Sequence, residues 1–196
     1  MSPMSPMPLP SSPALPSGPA VPSSPSDPAL EPFRALPGQA RLWLVALDAA
    51  PEAAVRVRLE QGLAELLGHW RHKGQAYQAV GALLEPQLLA VAEPTLASQP
   101  SGCAIDGMLR RLHRLLAELG LSPVDSERCI LVRRGAGLEA IPKAELQARL
   151  EAGALDADTP LLDLSLYNLA DLLAGRLESP LARTWVGRRY GLGAPA

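Results

Sequence analysis

Cysteine, aromatic residues and long apolar runs are all scarce in this chain of 196 residues. Its two cysteines, Cys103 and Cys129, are too few for the disulfide framework of a small secreted domain, and this favours a reducing cytoplasm. The N-terminus has no early Lys or Arg and no apolar core of a secretory signal. The most apolar stretch, residues 75–92, is interrupted at 85–87 by Glu-Pro-Gln, whereas a membrane span needs roughly 20 mostly apolar residues. We therefore predict a cytoplasmic protein that does not cross a membrane.

A strong charge of either sign is also missing, since the formal net charge is -2. Such a balanced chain has no general attraction for the phosphates of nucleic acid or for anionic lipid, so neither is predicted as a partner. Three scattered histidines and two separated cysteines show no zinc-ligand spacing, and no metal or cofactor is predicted. The sequence Gly135-Ala136-Gly137 lacks the rest of a dinucleotide-binding motif and is interpreted as a turn.

Proline, by contrast, is abundant at the N-terminus. Residues 1–38 hold 12 of the 21 prolines, and from Pro13 to Pro28 a proline stands at every third position. This period matches the turn of a polyproline II helix, but the segment has too few large apolar residues to fold. We predict a disordered tail over 1–38. A ligand for a proline-binding groove and an upstream stretch outside the true start of translation stay open as alternatives.

Apolar periodicity over residues 39–140 predicts six elements. They are a strand at 41–47 (RLWLVAL), a helix at 55–70, two antiparallel strands at 76–84 and 87–93, a second helix opening at SGCAID, and a strand at 128–133 (RCILVR). The order β-α-β-β-α-β is the pattern of a ferredoxin-like sandwich, an α+β fold in the broad α/β class. Residues 141–196 are predicted to form a C-terminal helical extension packed on this core.

The second helix carries the clearest face pattern. Leu112 and Leu116 lie on the apolar side of the helix, while Arg110 and Arg114 lie mostly on the other side. We therefore predict that the two leucines are core residues and that the two arginines are exposed.

The expected topology brings several polar side chains to one end of the sheet. The start of the second strand, the end of the third and the end of the fourth meet there, which gathers His72, Lys73, Cys103, Asp106, Arg133 and Arg134. A cysteine at a helix N-terminus near cations has a raised thiolate fraction, which suits catalysis or redox sensing. Free cysteine is also among the most buried residue types, and Asp106 is explained equally well as a first-turn carboxylate. A merely packed Cys103 is favoured by about two to one, and Cys129, in the apolar run CILV, is predicted to be the less reactive thiol.

Four stretches together resemble a family of short, uncharacterised bacterial proteins that are often labelled ABC transporter ATPases. They are the Trp-bearing RLWLVAL, a Trp near the end of the first helix, SGCAID, and PLARTW near the C-terminus, and they extend over roughly residues 40–190. The family has Trp-x-x-His-Gly after the first helix, where this chain has its histidine one place early, at His72. The chain contains no G-x-x-x-x-G-K-[ST] phosphate loop, so it is not predicted to be an ATPase.

These observations predict a module that binds a small anionic ligand or a protein partner at the Cys103 end of the sandwich. His72, Lys73, Asp106 and Arg133 are the expected ligand-binding residues. The alternative is a thiol-dependent enzyme or redox sensor that uses Cys103 as its catalytic residue. A homodimer is compatible with either function.

Overall fold

The fold is α+β, with two antiparallel sheets and helices packed on them. The structure, a computed structural model, describes residues 28–71, the backbone of His72, and residues 74–95 and 101–192. The elements follow in the order β1 (Arg41–Ala46), α1 (Ala53–Gly68), β2 (Arg71–His72), β3 (Gln75–Ala76), β4 (Val80–Glu85), β5 (Leu88–Glu93), α2 (Gly102–Glu118), β6 (Cys129–Arg134), β7 (Gly137–Pro142), α3 (Leu146–Glu151), β8 (Pro160–Leu162), α4 (Leu169–Leu173), β9 (Glu178–Pro180) and α5 (Trp185–Tyr190). No helix in these described ranges is both long and apolar enough to span a membrane.

The first sheet has the order β1-β5-β4, and β5 pairs antiparallel with both neighbours. All six residues of β5 are buried, so this strand is covered on both faces. Leu89 and Val91 pack in the same core cluster as residues of α1 and α2, while Ala90 and Ala92 pack in a cluster on the opposite side. This alternation is the two-residue period of a strand, and β5 is the central strand of the first sheet.

The helix face predicted for α2 is confirmed. Leu112 and Leu116 are fully buried, and Arg110 and Arg114 are exposed. The turn predicted at Gly135 is confirmed as well, because it joins β6 to β7. Its φ of 55° lies in the left-handed region, which glycine adopts without a steric penalty.

The ferredoxin-like sheet is not confirmed, although the elements occur in the predicted order. Its fourth strand, β6, does not pair with β1 but lies in a second sheet of order β7-β6-β8-β9. Two short segments occupy the edge of β1 instead. The amide of Leu42 donates to the carbonyl of Tyr167 at 3.0 Å, and the amide of Val124 donates to the carbonyl of Ala46 at 2.8 Å. These bonds occupy the edge of β1 that the predicted topology assigns to the fourth strand, while β6 pairs with β7 and β8.

The two ends of the chain also depart from expectation. Residues 1–27 of the predicted tail lie outside the described residues, but Pro28–Phe33 is a 3₁₀ helix with Leu30 and Phe33 buried. Both side chains pack in the cluster that holds Ala90 and Ala92, so this part of the predicted tail belongs to the folded core. The region predicted as a helical extension contains strands β8 and β9 besides its short helices.

Candidate functional site

Cys103 is the second residue of α2, and it is exposed. It lines a small pocket of about 160 Å³ together with Trp70, Arg71 and Arg111. The indole Nε1 of Trp70 donates to the carbonyl of Ala104 at 3.0 Å, which fixes the start of α2 against the segment that follows α1. Two cations, Arg71 and Arg111, thus line the same pocket as the thiol, and neither is among the site residues predicted from the sequence.

Asp106, His72 and Lys73 were also predicted at the Cys103 end, and the structure describes them to different extents. Asp106 is exposed on α2. The backbone of His72 pairs with Gln75 in the β2–β3 hairpin, while its side chain and the whole of Lys73 lie outside the described residues. Their predicted part in a site therefore stays a prediction.

Arg133 is not brought to Cys103. Its guanidinium binds Glu85 through Nη1 at 2.9 Å and Nη2 at 2.6 Å, and it binds Glu178 through Nε at 2.7 Å. Glu85 ends β4 at the turn into β5, whereas Cys103 follows the far end of β5, so the two groups lie at opposite ends of the hairpin. Burial lowers the pKa of Arg133, but its hydrogen bonds and attraction to Glu85 and Glu178 outweigh burial and raise the pKa above its ordinary value.

Arg134, the neighbour of Arg133, also lies in β6 and not at the Cys103 end. Its Nε bonds to Glu139 at 3.1 Å, and its Nη2 donates to the carbonyl of Ala154. Both arginines were misplaced for the same reason, namely that β6 belongs to the second sheet.

A larger cleft, of about 540 Å³, lies between the second sheet and α5. We call it the Trp185 cleft. Its charged lining residues are Lys143, Asp163, Arg183 and Arg188, and its hydroxyl-bearing ones are Ser126, Ser165, Ser179 and Thr184. Trp185 and Cys129 line it as well. Cys129 is half-buried there, so Cys103 is the more exposed of the two thiols, and the packed Cys103 favoured by the sequence is wrong. The lower reactivity expected of Cys129 stays a prediction.

Helix α5 positions one side of the cleft. The hydroxyl of Thr184 accepts a hydrogen bond from the amide of Val186 at 3.2 Å and donates to the carbonyl of Leu181 at 2.8 Å, which caps the helix. Val186 and Leu181 are fully buried and anchor α5 to the sheet. The Trp185 ring is left 38% exposed at the cleft, although a large apolar ring is normally buried more fully.

The three cationic side chains of the cleft differ in how far their donors are already used by the protein. Lys143 donates through Nζ to the carbonyls of Ser126 at 3.1 Å and Glu127 at 2.8 Å, and its Nζ lies 5.7 Å from the Trp185 ring centroid. Within the described ranges, Arg183 and Arg188 form no ion pair. The carboxylate of Asp163 accepts from the amide of Ser165 at 2.9 Å and from its hydroxyl at 2.5 Å. Two guanidinium groups are therefore available to a ligand.

This cleft could not be predicted from the sequence because its lining residues are far apart in the chain. Lys143 follows β7, whereas Arg183, Trp185 and Arg188 come some forty residues later. One signal was present, since PLARTW supplies Arg183, Thr184 and Trp185 to the lining. Nothing in the spacing of the motif pairs it with Lys143.

Comparison with known protein families, with curated proteins and with solved structures yields no match to this chain. In the described part of the chain, no three His, Cys, Asp or Glu residues are grouped so as to hold a metal ion. The Trp185 cleft and the Cys103 pocket are therefore the candidate sites of this chain.

Proposed function

We propose that the protein binds a small anionic ligand in the Trp185 cleft. The observation that carries this proposal is the presence of three cationic side chains against one carboxylate in a single concave site. A volume of about 540 Å³ lies within the size range of roughly 300–1,000 Å³ typical of small-molecule sites. The anionic ligand predicted from the sequence is retained, and its location moves from the Cys103 end to the second sheet.

The lining supplies the donors that an anion needs. A guanidinium offers a planar fork of N–H donors that matches carboxylate or phosphate oxygens, and Arg183 and Arg188 both provide one. The hydroxyls of Ser126 and Ser179 can add neutral hydrogen bonds, whereas the hydroxyl of Thr184 already donates its proton to the carbonyl of Leu181. Because the whole chain carries a net charge of -2, this excess of positive charge is a local feature of the cleft.

Titration calorimetry with inorganic phosphate tests the proposal. We expect Arg183→Ala and Arg188→Ala each to weaken binding by about tenfold, because a hydrogen bond to a charged group contributes roughly 1.5–3 kcal/mol. Arg189→Ala is the matched control, since Arg189 lies on the same helix but does not line the cleft. Equal affinities of the double variant R183A/R188A and the control, or no binding by the unaltered protein, would contradict the proposal.

A second candidate function is favoured by the exposure of Cys103 beside Arg71 and Arg111. Cations near a thiol stabilise its thiolate, which is the reactive form in thiol catalysis and redox sensing. A thiol-dependent enzyme or redox sensor is therefore the alternative proposal. A reducing, cytoplasmic location suits it, because both cysteines are free thiols.

Alkylation rates measured by mass spectrometry test this alternative. We expect Cys103 to react faster than Cys129, and we expect Arg71→Ala and Arg111→Ala to slow the reaction at Cys103 alone. Arg114→Ala is the control, because Arg114 lies on α2 but does not line the pocket. If all three variants react at the rate of the unaltered protein, the two cations do not activate the thiol.

A further inference from the structure

We infer that the ligand of the Trp185 cleft is a small aromatic phosphate monoester, whose ring stacks on Trp185 and whose phosphate binds Lys143, Arg183 and Arg188. This inference rests on the proposed function and specifies its ligand class. Two observations carry it, namely the half-exposed indole inside a charged cleft and the number of free cationic donors around it.

The indole indicates the aromatic part of the ligand. Trp185 is 38% exposed, and its ring forms part of the cleft wall together with Arg183 and Arg188. A flat aromatic ring stacked on the indole would remove this apolar surface from water. It would also add the favourable interaction energy of an offset-stacked aromatic pair. A simple inorganic anion would leave the ring exposed and most of the 540 Å³ unfilled.

The donors indicate a phosphate. An ammonium group has three N–H donors, and Lys143 uses two of them on the carbonyls of Ser126 and Glu127. The third remains for a ligand on an ammonium group that is already held in place beside the Trp185 ring. With Arg183 and Arg188 unpaired in the described part of the chain, three separate cationic groups can contact the three terminal oxygens of a phosphate monoester.

The net charge of the cleft favours a doubly charged anion over a singly charged one such as a monocarboxylate. Lys143, Arg183 and Arg188 against Asp163 leave the cleft with a formal charge of +2. A phosphate monoester carries about -1.5 to -2 at neutral pH, whereas a monocarboxylate carries only -1. The phosphate therefore neutralises the cleft and the carboxylate does not.

Calorimetry on the full-length chain with four probes tests the inference: phenyl phosphate, cyclohexyl phosphate, inorganic phosphate and benzoate. We expect phenyl phosphate to bind at least about fivefold more tightly than cyclohexyl phosphate, which has the same charge but no aromatic ring. We expect benzoate, which keeps the ring and loses the second charge, to bind more weakly than either ester. Trp185→Leu should abolish the preference for phenyl over cyclohexyl phosphate. Arg189→Ala should change none of these affinities.

The outcomes separate this inference from the proposed function. Phosphate binding that depends on Arg183 and Arg188, with no preference for the phenyl ester, would overturn the inference and leave the proposed function standing. Failure of every probe to bind would overturn both. If Trp185→Leu fails to fold, the indole N–H resonance of Trp185 in the unaltered protein decides instead. It must shift further with phenyl phosphate than with cyclohexyl phosphate, which has the same charge and no aromatic ring, and equal shifts would overturn the inference. A phosphotyrosine peptide that binds more tightly than phenyl phosphate would overturn the assignment to a free small molecule in favour of a protein partner.

Discussion

At the residue scale, Arg133 joins the two sheets. Glu85 belongs to the first sheet, while Arg133 and Glu178 belong to the second, and all three side chains are largely buried. Taking charges out of water is costly, so a buried cluster of this kind tolerates replacement of all its members better than removal of one. We therefore expect the cluster to contribute more to the fixed arrangement of the sheets than to net stability.

We predict that Arg133→Met lowers the free energy of unfolding by roughly 3–5 kcal/mol, because it leaves two buried carboxylates without a counter-ion. Replacing the carboxylates as well, in R133M/E85L/E178L, should recover much of this loss. Urea unfolding followed by circular dichroism measures both effects. A loss below about 1 kcal/mol in Arg133→Met would show that water already screens the cluster.

A second residue-scale feature is the turn that leads into β8. Asp156 accepts hydrogen bonds from the hydroxyl of Thr159 at 2.7 Å and from the amide of Asp158 at 3.1 Å. The hydrogen bond from Thr159 is the main reason that the pKa of Asp156 is lowered below its ordinary value of 3.8. A carboxyl with a depressed folded-state pKa stabilises the protein above the unfolded-state pKa, and this stabilisation is lost as pH falls through the folded-state value.

We therefore predict that Asp156→Ala is less stable than the unaltered protein at pH 7, and that the difference shrinks as the pH is lowered below 3.8. Urea midpoints measured from pH 7 down to about pH 2 check the sign. Asp158→Ala serves as the control, because the side chain of Asp158 accepts no hydrogen bond from the described residues. A stability difference that grows on acidification would refute the assigned role of the carboxylate.

At the element scale, α5 depends on a close approach that only glycine permits. A Cβ atom on Gly187 would overlap the carbonyl oxygen of Ala182 and lie 2.6 Å from that of Leu181. Both contacts are to backbone, which cannot rotate away as a flexible side chain can. The position of α5, and with it the positions of Trp185 and Arg188, thus depends on the missing side chain at residue 187.

We predict that Gly187→Ala displaces α5 and weakens phosphate binding at the Trp185 cleft, although residue 187 itself does not line the cleft. The control is Arg189→Ala, which alters an exposed residue of the same helix. Trp185 indole resonances and phosphate calorimetry measure the displacement and its consequence. Unchanged resonances in Gly187→Ala would mean that the helix absorbs the methyl group without moving.

At the scale of the whole molecule, the two sheets share a core. Ala46 and Leu88 of the first sheet pack in one cluster with Leu131 and Leu162 of the second. Gln87 adds a polar link, since its side-chain oxygen accepts the amide of Leu138 at 3.1 Å. Each sheet also has an apolar cluster of its own, and the shared cluster, this hydrogen bond and the Arg133 cluster couple the two sheets.

We predict a single cooperative unfolding transition. In Trp185→Phe the remaining tryptophans, Trp43 and Trp70, report on the first sheet and its helices, whereas far-UV circular dichroism reports on the whole chain. The urea midpoints from the two signals should coincide, which is the standard test of two-state behaviour. Two resolved midpoints would show that the sheets unfold separately.

The sequence alone was sufficient for most elements of the first half of the chain. Helical periodicity located α1 and α2 and assigned Leu112 to the buried face, and the apolar run at 41–47 located β1. These predictions succeeded because a one-sided apolar pattern specifies both the type of an element and the face that it buries. The turn at Gly135 could be predicted for a similarly local reason, namely a backbone conformation that favours glycine.

Only the tertiary structure decided which strands pair and which charged groups meet. An apolar strand such as β6 can complete either sheet, and its periodicity carries no information about its partner. The segments around Val124 and Tyr167 occupied the edge of β1 through isolated hydrogen bonds, which leave no repeat in the sequence. Because β6 lies in the second sheet, Arg133 is distant from Cys103, and the Trp185 cleft takes its lining from β6, β8 and α5 together. A site assembled from separate elements depends on backbone hydrogen bonding across the whole fold, which no local pattern of residues encodes.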